Sequence, residues 1–79
     1  MTIFPNPVSD RLIIRLQGSM ETIQAPYMIL DPAGRLVKQG DLNLKFKYAE
    51  LPVSELPTGT YIIRILEADQ WHQYRIVKQ

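Results

Sequence analysis

Hydrophobic and polar positions alternate with a period of two along most of this chain, the signature of strands with one buried face. Leu12, Ile14 and Leu16 alternate with Arg11, Ile13 and Arg15. In Tyr61-Ile62-Ile63-Arg64-Ile65-Leu66, the residues Tyr61, Ile63 and Ile65 share one face, and Ile62, Arg64 and Leu66 share the other. Leu42, Leu44, Phe46 and Tyr48 alternate with Asn43, Lys45, Lys47 and Ala49. Branched and aromatic side chains fill these runs, as a pleated, half-covered surface favours. No stretch carries the 3.6-residue stripe of an amphipathic helix.

Breaks of recognisable turn chemistry separate the runs. Pro5-Asn6-Pro7 excludes a helix near the start, because proline restricts its own backbone and that of the residue before it. Asp31-Pro32-Ala33-Gly34 reads as a type I turn followed by a glycine suited to positive φ, a three-residue hairpin loop with a bulge. Gln17-Gly18-Ser19 and Gln39-Gly40-Asp41 are read as further breaks, and Ala68-Asp69-Gln70 as the last hairpin turn. Pro52, inside an apolar run, marks an edge or a bulge.

These signals predict about seven strands, near 2–4, 10–16, 26–31, 35–44, 47–53, 60–67 and 71–78. The division around 40–48 has more than one solution. Strands spaced at roughly 8–12 residues with turns between them predict an all-β fold, an immunoglobulin-like Greek-key sandwich of antiparallel strands in one domain over 1–79. Leu56-Pro57-Thr58-Gly59-Thr60-Tyr61 fits a tyrosine corner, so Tyr61 is expected to be buried with its hydroxyl bonded to upstream backbone. The expected core is Leu12, Ile14, Leu16, Ile29, Val37, Leu51, Val53, Leu56, Tyr61, Ile63 and Ile65. Period two places Trp71 and Tyr74 on opposite faces of the last strand. Tyr74 and Ile76 are set inward and Trp71 partly exposed, with the opposite register as the alternative. Phe46 is expected inward between outward Lys45 and Lys47, and His72 exposed near the hairpin.

Composition narrows the function. Nine Lys/Arg against eight Asp/Glu leave a net charge of +1, with no basic stripe for nucleic acid. The chain has no cysteine and one histidine, so thiolate metal sites and disulfides are excluded. Ser9, Ser19 and Ser54 lie in no nucleophile-elbow sequence, and no base–nucleophile constellation points to catalysis. Asp10, Asp31, Asp41 and Asp69 are scattered at turns without the spacing of a calcium loop. No apolar run reaches the roughly 18 residues of a membrane span. No cofactor is expected.

Four segments, in order, resemble a known family: Phe4-Pro5-Asn6-Pro7-Val8 with Asp10-Arg11-Leu12; Ile29 to Val37 around Asp31-Pro32-Ala33-Gly34; Val53 to Tyr61; and Tyr74-Arg75-Ile76-Val77-Lys78. Together they resemble the type A C-terminal sorting domain of the type IX (Por) secretion system. The resemblance implies a non-catalytic secretion signal with an immunoglobulin-like fold, carried by a larger exported protein of a Gram-negative bacterium. It implies a cargo domain and an export signal upstream, transit through the periplasm, and delivery to the cell surface or medium. The implied partners are the outer-membrane translocon, its shuttle components, and a sortase-type cysteine protease that removes the domain. Carried over by position, the recognition residues are Pro5, Asn6, Pro7, Gly34, Gly59, Tyr61, Arg75, Ile76, Val77 and Lys78. Many members end in a lysine-rich strand, whereas this chain has Arg75 and ends on Gln79. Two other classes compete: a fibronectin-like or carbohydrate-binding sandwich using Trp71, and a structural spacer in an adhesin.

Overall fold

In a computed structural model, residues 1–16, 23–46 and 48–79 are described. They form seven strands: β1 (Thr2–Phe4), β2 (Arg11–Arg15), β3 (Ile23–Leu30), β4 (Leu36–Leu44), β5 (Tyr48–Pro52), β6 (Gly59–Glu67) and β7 (Gln70–Lys78). One sheet has the order β1-β2-β5 and the other β4-β3-β6-β7, with every strand pair antiparallel. The chain changes sheets between β2 and β3, β4 and β5, and β5 and β6. This is the immunoglobulin-like Greek-key sandwich the alternation predicts. Among the described residues there is no helix.

The core is where the inward faces meet. Leu12 and Ile14 of β2, Ile29 of β3, Leu44 of β4, and Ile63 and Ile65 of β6 are fully buried. Removing apolar surface from water on both inner faces is the main force holding the layers together. Leu51, Val53 and Leu56 are buried as expected, while Val37 is half-buried against the core. Leu16 lies just past the end of β2 and is half-buried rather than enclosed.

Tyr61 is buried and donates its hydroxyl to the Pro57 carbonyl oxygen at 2.6 Å. That is the expected corner, closing the turn from β5 into β6. The β3–β4 loop also follows its sequence signals. Gly34 N–H donates to Asp31 O at 2.9 Å, and Gly34 adopts φ 86°, a conformation costly for any residue with a Cβ. Asp31 Oδ1 accepts from the N–H groups of Ala33 (3.0 Å) and Arg35 (2.8 Å).

Three further expectations are corrected. Gln39-Gly40-Asp41 is not a break, because β4 runs through it; a Cβ on Gly40 would approach Tyr27 Cε1 to 3.2 Å, so glycine admits the ring. The strand expected from 26 begins at Ile23, with Pro26 inside it; Pro26 lies one residue beyond the β3–β6 ladder, which starts at Tyr27. The third concerns phase. Phe46 does not point inward: it is 71% exposed, in a tight turn at φ 51°, between Lys45 and Tyr48, whose backbones bond each other. The turn hands the chain to the other sheet and shifts the alternation by one residue. Ala49 and Leu51 therefore fill the core, while Tyr48 faces out. Lys47 and the break at Gln17-Gly18-Ser19 lie outside the described residues.

Candidate functional site

β7 forms one margin of the four-stranded sheet. Its inner face carries Tyr74, half-buried, with Ile76 and Lys78, both buried. Its outer face carries Trp71, 45% exposed, with Gln73 and Arg75 exposed. The expected facing of Trp71, Tyr74 and Ile76 is the one observed. His72 is half-buried rather than exposed, because it shares the inward parity of Tyr74. Its Nε2 lies 3.3 Å from Glu67 Oε1, out of line for a hydrogen bond.

The start of the chain closes half of this margin. Asn6 donates its side-chain Nδ2–H to Arg75 O (3.1 Å), and Asn6 Oδ1 accepts from Val77 N–H (2.9 Å). The amide side chain thus stands in for one peptide unit of a neighbouring strand. Val8 then continues as a true one, forming a parallel bridge with Lys78. Val8 N–H donates to Val77 O and Gln79 N–H to Val8 O, each at 2.8 Å. Val8 itself is fully buried, and Tyr74 donates its hydroxyl to Met1 O at 2.9 Å.

Backbone groups of alternate residues point away from β6, and on β7 these are the odd-numbered ones. Val77 is fully used, and the Arg75 carbonyl is used. The Arg75 N–H and both groups of Gln73 and Trp71 face outward with no partner among the described residues. The margin is therefore latched from 75 to 79 and open from 71 to 75.

The residues carried over from the resemblance gather at one end of the sandwich. Strand registers put the Asp31–Arg35 loop, the corner from Pro57 to Tyr61, and the end of β7 together there, and Val8 brings Pro5, Asn6 and Pro7 to the same end. Gly34 shapes the loop, Gly59 opens β6 opposite Lys78, and Tyr61 locks the corner. Ile76 is core, and Val77 is half-buried under the latch. Lys78 does not present a free cation: it is 7% exposed, and its Nζ donates to Gln79 O at 2.6 Å. Its parity with Ile76 already fixes that direction. Arg75 is exposed on the outer face.

A family model described as the secretion system C-terminal sorting domain matches residues 2–79. The chain belongs to that family. No curated protein matches the chain at a significant level. The sorting domain is thus a type IX secretion signal, and its role is export to the cell surface or medium. Among the described residues no group of His, Asp and Glu is arranged to hold a metal ion.

Two features of the sorting domain were not singled out from its sequence. One is Val8 as an edge-closing strand residue; the signal for it was an isolated apolar position straight after two prolines. The other is Arg64, whose guanidinium carbon lies 4.9 Å from the Trp71 ring centroid, a stacked cation–π pair. A two-residue turn at Ala68-Asp69 fixes Leu66 opposite Trp71, which sets Arg64 diagonal to it. A second aromatic cluster lies on the other sheet. Arg15 sits 5.7 Å from the Phe4 ring centroid and lines a recess with Phe46 and Tyr48.

Proposed function

We propose that this domain is a non-catalytic label, read as a folded object by the outer-membrane translocon of type IX secretion and then removed from its cargo by the sortase. The family match across residues 2–79 carries the reading. The structure supports it with a sandwich whose β7 edge has no partner strand along 71–75 among the described residues. The carrier of the label is an upstream cargo domain that passes through the periplasm. Recognition runs along β7, where open backbone groups offer sheet extension and Arg75 offers charge complementarity, which governs specificity and encounter rate more than affinity. Lys78, Ile76 and Val77 hold that strand in place.

The test is a reporter that carries a signal peptide and ends in residues 1–79, expressed in a host with type IX secretion. Delivery to the surface or medium, lost when the translocon is deleted, is the expected result. Retention in the periplasm, or delivery independent of the translocon, overturns the proposal. One observation favours a second reading, a carbohydrate-binding module: Phe4, Phe46 and Tyr48 are all exposed around Arg15. Trp71 supports it less, since its own face has no second exposed ring among the described residues. Glycan-array capture that disappears in Arg15→Ala would establish that module.

A further inference from the structure

The open half of β7 has a definite chemistry. Trp71, Gln73 and Arg75 alternate along its outer face, and Arg64 of β6 lies opposite Gln73 on the same face. Arg64 packs on Trp71, and its Nε is buried without a hydrogen-bond acceptor. Three Lys/Arg–carboxylate ion pairs and one His72–Glu67 contact occur among the described residues, and neither Arg64 nor Arg75 takes part in any of them. Asp41 of β4 lies on the same face and lines a recess with Trp71, but it forms an ion pair with neither arginine. Among the described residues, two guanidinium groups outside any ion pair thus lie beside Gln73, where the backbone is also unpaired.

We infer that the segment from Trp71 to Arg75 is a docking edge for an extended, acidic strand of a partner protein. This deepens the sorting-signal reading and rests on it. The backbone of the incoming strand pairs with the free groups of Trp71, Gln73 and the Arg75 N–H. A carboxylate opposite Gln73 or Arg75 lies within cross-strand reach of the Arg75 guanidinium. Arg64, on the neighbouring strand of the same face, adds a second positive charge that favours an acidic partner over a neutral one. Trp71, exposed at the far end of the open stretch, covers the apolar stem of the same strand. A second copy of this chain fits poorly, because pairing two such edges would bring four arginines together with no acid between them. Latching of residues 75–79 by Asn6 and Val8 limits the docked strand to the half that remains.

The experiment places a photo-crosslinking residue at Gln73 in the exported reporter fusion, with Ser54, exposed beyond β5, as control. The expected adduct forms at position 73 and not at 54, and maps to an extended acidic segment. Arg75→Glu lowers that adduct at least about tenfold, and Glu→Lys in the captured segment restores it. The Arg75→Glu protein is first shown to unfold at the wild-type temperature. An adduct with a second copy, an adduct in a segment without acids, equal labelling at Ser54, or delivery without any adduct at 73 overturns the inference while the sorting reading stands. A wild-type fusion that is never delivered overturns the sorting reading and this inference together.

Discussion

At the residue scale, several side chains act where the backbone needs help rather than where the solvent is. Tyr61 is the clearest. Its ring belongs to the core, and its hydroxyl satisfies the Pro57 carbonyl, which no strand pairs. Tyr61→Phe keeps the ring and removes the bond, so the fold should lose about 1 kcal/mol, the net worth of one such interaction. Urea denaturation with an unchanged slope and a lower midpoint would show this; an unchanged midpoint would mean the corner is held by shape alone. This residue was legible in the sequence because Leu-Pro-Thr-Gly-Thr-Tyr contains both the corner and its partner. Phe46 was not, because a pattern of alternating positions carries no mark at the point where the chain leaves one sheet for the other.

Asn6 shows what one amide can do at the scale of a strand. It both accepts from Val77 and donates to Arg75, so a proline-flanked loop closes an edge that a strand would otherwise have to close. Asn6→Ala should raise hydrogen exchange at the Val77 amide roughly fivefold, the effect of losing about 1 kcal/mol locally. The Ile63 amide, on the interior strand β6, should follow only the change in global stability. Equal acceleration at both would show that Asn6 acts on the whole fold instead. The sequence displayed Pro5-Asn6-Pro7 plainly, and the strands it displayed were placed to within a few residues. The contact between residue 6 and residues 75 and 77 was hidden, because nothing local records a pairing across so much intervening chain.

For the whole molecule, two carboxylates with lowered pKa tie stability to pH. Asp31 and Glu55 belong to the end of the sandwich where the turns gather. The Arg35 N–H, with that of Ala33 and the Arg35 guanidinium, holds the Asp31 carboxyl below its usual value. A hydrogen bond from Lys38 does the same for Glu55. A carboxyl that ionises more readily when folded stabilises the fold above its unfolded pKa and stops doing so as pH falls through the folded one. Thermal midpoints should therefore drop as pH is lowered below about 5, and the drop should be shallower in Asp31→Asn/Glu55→Gln. Circular dichroism melts across that range decide it; parallel curves for the two proteins would place the acid sensitivity elsewhere.

Val8 runs parallel to the end of β7, and that direction governs how tension passes through the molecule. Pulled apart at residues 1 and 79, the two segments slide in opposite senses along their shared bonds. The Asn6 and Val8 contacts are then strained together in shear, not peeled one after another. Machinery that draws on residue 79 meets this clamp before it meets the core, whereas a pull on residue 1 loads the β1–β2 ladder first.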